Sequence, residues 1–171
     1  MGLDVTAYSN LTQCAADEVA AIDRDYPPDG VMNVWRYPVE NRGWDARAEP
    51  FDGLCRTTGK TQKHCFYAGS YGDYSWWRDV LSTHFYGVPA YHVWANRDDY
   101  RDLPFFELID FSDCEGYIGA TVAAKLAADF KAYRWAASSV DVEDRECWLE
   151  QYENWAHAFA LAARGGVVEF H

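Results

Sequence analysis

The alternation of apolar and polar residues predicts strands near both ends of this 171-residue chain. Residues 2–9 and 31–37 alternate with the period of two that is typical of a strand with one buried face. Residues 167–170 form a short apolar run after a Gly-Gly stop. Residues 105–111 are apolar on both faces, which predicts a central strand buried on both sides.

Three longer segments repeat their apolar positions every three or four residues and are predicted to be helices: 74–85, 119–135 and 143–163. Asp73 is the predicted N-cap of the first helix, and Gly87 is its predicted stop. In the last helix, aromatic residues recur at steps of four, three and four, which indicates a face that packs on a core.

These elements predict a single globular domain, residues 1–171, of the α+β class. We expect a small mixed or antiparallel sheet packed against about three helices, because the strands are too few and too irregularly spaced for a doubly wound fold. A further short helix is predicted within 12–25. Residues from about 38 to 66 show no sustained period and are predicted to be a long irregular segment.

Charge narrows the expected partners. Fifteen basic against 27 acidic residues give a net charge of −12, which repels phosphate backbones and argues against a nucleic acid duplex as partner. An acidic surface favours solubility, and it also suits docking on a basic surface of another protein. Aromatic residues make up 17% of the chain, so some of them are expected to line a pocket or a binding face.

The remaining composition indicates no metal, cofactor or membrane. The five cysteines contain no Cys-x-x-Cys pair, and the histidines show no metal-ligand spacing. The chain starts without a basic and apolar leader, and it has no apolar run of about 18 residues. The expected location is the cytoplasm.

The first candidate site is the glycine-rich turn before the helix at 74–85. Free backbone N–H groups, the positive end of a helix and an arginine one turn in are typical of an anion site, and nearby rings could stack on a planar ligand. The predicted ligand-binding residues here are Ser70, Tyr71, Tyr74, Trp77 and Arg78. The alternative interpretation is a turn that simply leads into a core helix.

The second candidate site is the acidic corner after residues 105–111. Glu107 and Asp110 would lie on a strand that is otherwise apolar, where a carboxylate needs a partner or acquires a raised pKa. Glu107, Asp110 and Asp113 are therefore the candidate general bases. Asp113 and Glu115 are also predicted to bind the ligand if the two corners meet. The alternative is a capped helix start with one buried ion pair.

Four blocks of the sequence resemble a group of uncharacterised phage and prophage proteins of similar size. The blocks are Met-Gly-Leu-Asp at 1–4, Ala-Gly-Ser-Tyr to Trp-Arg at 68–78, Glu-Leu-Ile-Asp-Phe-Ser-Asp-Cys-Glu-Gly-Tyr-Ile-Gly at 107–119 and Val-Glu-Phe-His at 168–171. The resemblance implies a cytoplasmic protein of an infected or lysogenic bacterium, with no mechanism attached. Proteins in that setting often counter host defence.

Three functions follow as hypotheses, and the sequence leaves open whether the protein is an enzyme. The first is a protein that binds or sequesters a small anionic aromatic ligand such as a nucleotide. The second is an enzyme that acts on such a ligand, with Glu107 or Asp110 as the general base. The third is an acidic inhibitor that docks on a basic surface of a host defence protein.

Overall fold

The computed structural model describes residues 2–23, 25–34, 53–111 and 116–171. Over these ranges the strands are β1 (Gly2–Tyr8), β2 (Thr12–Gln13), β3 (Val31–Val34), β4 (Gly53–Arg56), β5 (Lys63–Ser70), β6 (Gly116–Gly119) and β7 (Val167–Phe170). The helices are α1 (Ala16–Ala21), α2 (Tyr71–Tyr86), α3 (Ala90–Ala95), α4 (Arg97–Tyr100), α5 (Phe106–Asp110), α6 (Ala120–Ala137) and α7 (Arg145–Ala162). The predicted α+β class is confirmed.

The larger sheet has four strands in the order β5-β1-β7-β6, and every neighbouring pair is antiparallel. The odd-numbered residues Leu3, Val5 and Ala7 of β1 point into the core and are almost fully buried. Their alternation produced the strand prediction. The start of β7 lies close to β1, because a Cβ atom on Gly166 would come within 1.8 Å of the carbonyl oxygen of Tyr8.

Helices α2, α6 and α7 cover the core face of this sheet. The aromatic stripe of α7 is buried as predicted, from Trp148 through Tyr152 and Trp155 to Phe159. The hydroxyl of Tyr152 donates a hydrogen bond to the carbonyl oxygen of Phe130 on α6 at 2.8 Å, so even the polar tip of this ring has a partner. Many of the aromatic residues thus pack in the core between the helices and the sheet.

Helix α2 begins three residues earlier than predicted because its N-cap is Ser70. The Ser70 hydroxyl accepts a hydrogen bond from the amide of Asp73 at 3.2 Å, and the Asp73 carboxylate accepts one from the amide of Ser70 at 2.8 Å. This reciprocal pair is a capping box, with Asp73 at its third helical position. The predicted stop is confirmed, since Gly87 ends the helix at φ 74°.

The strand predicted at 105–111 is wrong, because these residues form the short helix α5. Phe105 takes a left-handed conformation at φ 66°, and all five residues of the helix that follows are buried. A short run with apolar residues on every side has no polar face, so its periodicity cannot distinguish a buried strand from a buried helix.

The central part of the chain is more regular than predicted. Within the segment that we expected to be irregular, the described residues form β4 and the first half of β5. Residues 38–52 of that segment lie outside the described ranges, as do residues 35–37 of the second predicted strand. The short helices α3 and α4 were not anticipated, and the helix expected within 12–25 is confined to α1.

A second, three-stranded antiparallel sheet has the order β2-β4-β3. It packs on part of the face of the larger sheet that is turned away from the helices. The contact is a small cluster of buried residues from both sheets: Leu11, Cys55, Tyr117 and Val167, with Tyr8 and Met32 against it. No helix in the described part of the chain combines the length and the apolar character that a membrane span requires.

Candidate functional site

The turn before α2 has its polar groups engaged by the helix itself. The hydroxyl of Ser70 and the carboxylate of Asp73 close the capping box, and Gly69, at φ 99°, allows Asp73 to approach its backbone. The hydrogen bond from Ser70 lowers the pKa of the Asp73 carboxyl, so a negative charge occupies the helix N-terminus. The site that we predicted for an anion already holds one.

The aromatic residues predicted to stack on a ligand are core residues in α2. Tyr74 is 0% exposed and its ring lies 5.4 Å from that of Trp155. Trp77 is also buried, and its indole N–H donates to the carbonyl oxygen of Trp148 at 3.2 Å. Tyr71 is partly buried and packs against the same core. Their faces are therefore packed on protein groups.

Arg78 links α2 to Phe111, the last described residue before the second predicted corner. Its guanidinium is buried and lies over the rings of Tyr74 and Trp94, at 4.4 and 5.2 Å from their centroids. Its Nη1 donates to the carbonyl oxygen of Phe111 at 2.7 Å, just after the end of α5. A helix end leaves carbonyl groups without intrahelical donors, and Arg78 supplies one. Its predicted role toward a ligand stays a prediction.

Each of the two described general-base candidates forms an ion pair. Glu107 is fully buried on α5 and binds the ammonium of Lys125 on α6 at 2.6 Å. Asp110, also fully buried, binds the guanidinium of Arg97 at 2.7 Å. These contacts match the alternative interpretation, in which the carboxylates are structural. Asp113 and Glu115 lie outside the described residues.

A different polar surface lies on the face of the four-stranded sheet that is turned away from α7, and we call it the outer sheet face. Antiparallel pairing places Thr6 opposite both Cys65 and Glu169, and Glu169 opposite Tyr117, so these four residues form one row across the sheet. The neighbouring rows complete the set of outer-face residues: Asp4, Tyr67 and His171 on one side, and Lys63, Tyr8 and Val167 on the other.

Glu169 differs from Glu107 and Asp110 because no described residue lies within hydrogen-bond distance of its carboxylate. It is 8% exposed, and no hydrogen-bond donor within the described residues reaches its carboxylate. Among the described residues the nearest ionisable nitrogen is Nε2 of His171, at 3.9 Å from Oε2. Burial raises the pKa of Glu169 to about 7, although the charge of Lys63 acts in the opposite direction. A carboxyl in this state is typical of a ligand-binding or proton-transfer site.

The outer sheet face is covered on one side of Glu169 and open on the other. The covered side is the cluster with Val167 and Tyr117, beneath the second sheet. On the open side, Tyr67 is 56% exposed and the side chain of His171 is 52% exposed. The carboxyl of Glu169 therefore lies at the boundary between buried and accessible surface.

Lys63 supplies the positive charge of this face. Its ammonium is 5.6 Å from the ring centroid of Tyr8. Burial raises the pKa of the Tyr8 hydroxyl, and the ring's ionised form would in turn raise the pKa of Lys63, so at neutral pH the pair is a neutral phenol beside a cation. The neighbouring Thr6 hydroxyl contacts the sulfur of Cys65 at 3.8 Å.

Described residues from each of the four sequence blocks lie toward one end of the four-stranded sheet. Gly2 pairs with Ser70, and Gly116 pairs with Phe170. The amide of Asp4 donates to the carbonyl oxygen of His171 at 3.2 Å, and the reverse bond is 2.9 Å. These residues are distant in sequence, so only the fold brings the blocks together. Glu169 lies in the row next to this end.

Sequence reasoning missed Glu169, although a signal was present. Its local sequence is Val-Val-Glu-Phe, a carboxylate inside an apolar strand. The same criterion selected Glu107, which lies on a helix and is paired.

The comparisons with known proteins add no family to this picture. Within the described residues, no group of three or more His, Cys, Asp or Glu side chains is arranged to hold a metal ion. No family model matches the chain, and no curated protein or solved structure is significantly similar to it.

Proposed function

We propose that this protein binds a small anionic aromatic ligand, such as a nucleotide, on the outer sheet face, with Glu169 accepting hydrogen bonds from the ligand. The observation that carries the proposal is the buried Glu169 carboxyl without a donor among the described residues. A carboxyl that is mostly buried without a protein donor loses part of its hydration, which costs free energy. A ligand with N–H donors would recover it.

The comparison with the paired carboxylates supports this interpretation. Glu107 and Asp110 are buried more deeply than Glu169, yet each has a cation within 2.7 Å. The fold thus provides partners for carboxylates that serve its own stability. Among the described residues Glu169 has none at hydrogen-bond distance, which is the arrangement expected of a group whose partner arrives from solution.

The neighbours of Glu169 define the rest of the ligand. Lys63 offers a cation for an acidic group, and the exposed ring of Tyr67 offers a stacking surface. A ligand that carries N–H donors, a planar ring and an acidic group satisfies all three residues. Nucleotides have this combination, with base N–H groups for the carboxylate and a phosphate for the lysine.

Isothermal titration with mononucleotides and cyclic dinucleotides tests the proposal on the wild-type chain, Glu169→Gln and Lys63→Met. Glu150→Gln, an exposed position on α7, is the matched control. A hydrogen bond to a charged group contributes about 1.5–3 kcal/mol, so Glu169→Gln should weaken binding about ten- to a hundredfold. The proposal fails if no nucleotide binds more tightly than about 1 mM, or if Glu169→Gln binds like the control.

A second candidate is an enzyme in which Glu169 acts as the general acid or base on the same ligand. The observation that favours it is the pKa of about 7, which leaves Glu169 partly protonated at neutral pH and able to transfer protons in both directions. In this candidate Glu169 takes the role of general base that the sequence analysis gave to Glu107 or Asp110. Turnover of a bound nucleotide, lost in Glu169→Gln with the fold intact, would support the enzyme; binding without turnover would exclude it for that ligand.

The biological setting that we propose rests on the four resembling blocks: a cytoplasmic phage protein that counters host defence by sequestering a nucleotide signal. Cells that express the wild-type chain should then plate a defence-sensitive phage more efficiently than cells that express Glu169→Gln. Equal protection by both proteins would favour the inhibitor that docks on a basic host surface, whose binding should weaken as salt increases.

A further inference from the structure

A pocket separate from the outer sheet face lies between α2 and the segment that joins α6 to α7. Its volume is about 280 Å³. The residues that line it are Trp76, Asp79, Val80, Thr83, His84, Val140, Asp141 and Val142. The five residues from α2 recur at intervals of three and four, so they form one face of that helix. The other three form the opposite wall.

The pocket combines an open aromatic face with negative charge. Trp76 is 44% exposed, although large aromatic side chains are normally buried. Asp79 and Asp141 are acidic, and the lining contains no Lys or Arg. One oxygen of Asp79 accepts the amide N–H of Ala90 at 2.8 Å, which fixes this carboxylate at the N-terminus of α3. Its second oxygen accepts no hydrogen bond from the described residues.

We propose that this pocket binds a guanidinium or ammonium group on a short aliphatic stem, the chemistry of an arginine or lysine side chain. The indole of Trp76 would hold the cation by a cation–π contact, and the two carboxylates would complete its charge partners. The valine side chains suit the methylene stem. The volume lies just below the range of drug-sized pockets, which fits a single side chain. The net charge of −12 draws cations toward the surface.

The proposal does not depend on the ligand of the outer sheet face, and its test uses different probes. N-butylguanidinium is titrated into ¹⁵N-labelled protein, and the indole N–H signal of Trp76 is followed. Its neutral isostere, N-butylurea, has the same shape without the charge. We expect saturable shifts of the Trp76 signal with the cation and none with the urea.

Substitutions then assign the contacts. Trp76→Leu should weaken binding about two- to fivefold, because it removes the cation–π contact. For that variant binding is followed on backbone amides of 140–142. Asp141→Asn should weaken binding and reduce its salt dependence. Trp135→Leu, an 83% exposed tryptophan outside the pocket, and Asp17→Asn on α1 are the matched controls and should bind like the wild type.

A peptide arm separates the two sources of this chemistry. A capped Gly-Arg-Gly peptide is compared with the same peptide in which citrulline replaces arginine. Tighter binding of the arginine peptide than of N-butylguanidinium supports a protein partner, whereas equal binding supports a free amine or guanidine. Equal shifts with N-butylguanidinium and N-butylurea, or unchanged binding in both Trp76→Leu and Asp141→Asn, would overturn the proposal.

Discussion

Replacing Glu169 with glutamine should make the folded protein more stable at alkaline pH, although it removes a group that we place in the binding site. Glu169 has a pKa of about 7 in the folded chain, raised from 4.5 by burial. Between these values the folded state binds more protons than the unfolded state. Stability from this group is therefore complete below pH 4.5 and is lost as the pH rises through 7.

The magnitude follows from the same two pKa values. One pKa unit corresponds to about 1.4 kcal/mol, so the full penalty of an ionised Glu169 is about 3 kcal/mol. By the linkage relation, ionisation of Glu169 lowers the stability of the wild type by about 1 kcal/mol at pH 5 and by nearly the full value, about 3 kcal/mol, at pH 8. The glutamine amide carries no charge at either pH. The free energy of unfolding of Glu169→Gln, relative to that of the wild type, should thus increase by about 2 kcal/mol from pH 5 to pH 8.

Urea unfolding followed by far-UV circular dichroism at pH 5, 6, 7 and 8 measures this difference. The quantity to compare is the free energy of unfolding of the variant minus that of the wild type, with equal m-values as the check for unchanged compactness. Glu150→Gln, at an exposed position, should show a flat difference across the series. A difference for Glu169→Gln that is equally flat would refute a pKa raised by burial of the carboxyl.

Three further predictions test other parts of the structure by the same unfolding assay. Lys125→Met should destabilise the protein by about 3 kcal/mol, because it removes the cation that binds the buried Glu107 carboxylate and Asp129; the one-third exposure of Lys125 places this at the lower end for such pairs, and a loss under 1 kcal/mol would contradict a structural ion pair. Gly87→Ala should cost about 1 kcal/mol from backbone strain alone, since φ is 74° and no atom lies near the added methyl; an unchanged midpoint would contradict the left-handed cap. Burial and the charge of His157 lower the pKa of His64, so its contribution to stability is present above pH 6.5 and is lost as the pH falls; this loss should shrink in His157→Gln.

Local sequence patterns were sufficient to predict an element where one of its faces is buried and the other is not. In β1, Leu3, Val5 and Ala7 alternate with polar residues, and this alternation identifies the face of the strand that is buried. The stripe of α7 similarly defines which side packs on the core. The helix stop at Gly87 needs only the left-handed conformation that glycine adopts easily. In each case the signal is contained in a few neighbouring residues.

Local patterns failed where burial is complete or where the partner is remote. Residues 105–111 are enclosed on all sides, so their sequence contains no periodic signal to separate α5 from a strand. Arg78 shows the second limit. Its position one turn into α2 suggested an anion site, but its guanidinium reaches the carbonyl oxygen of Phe111, 33 residues away. Nothing near either residue indicates that contact.

Glu107 and Glu169 show how far a sequence criterion can lead toward a site. Both are acidic residues in apolar runs, and for both the burial of a carboxylate costs free energy unless a partner binds it. For Glu107 that demand is met by Lys125, at 2.6 Å and on another helix. For Glu169 the neighbouring strands contribute only uncharged residues to its row, Thr6 and Tyr117 beside it and Cys65 beyond. The sequence therefore identifies which groups need a partner, and tertiary structure decides which of them find one within the described residues.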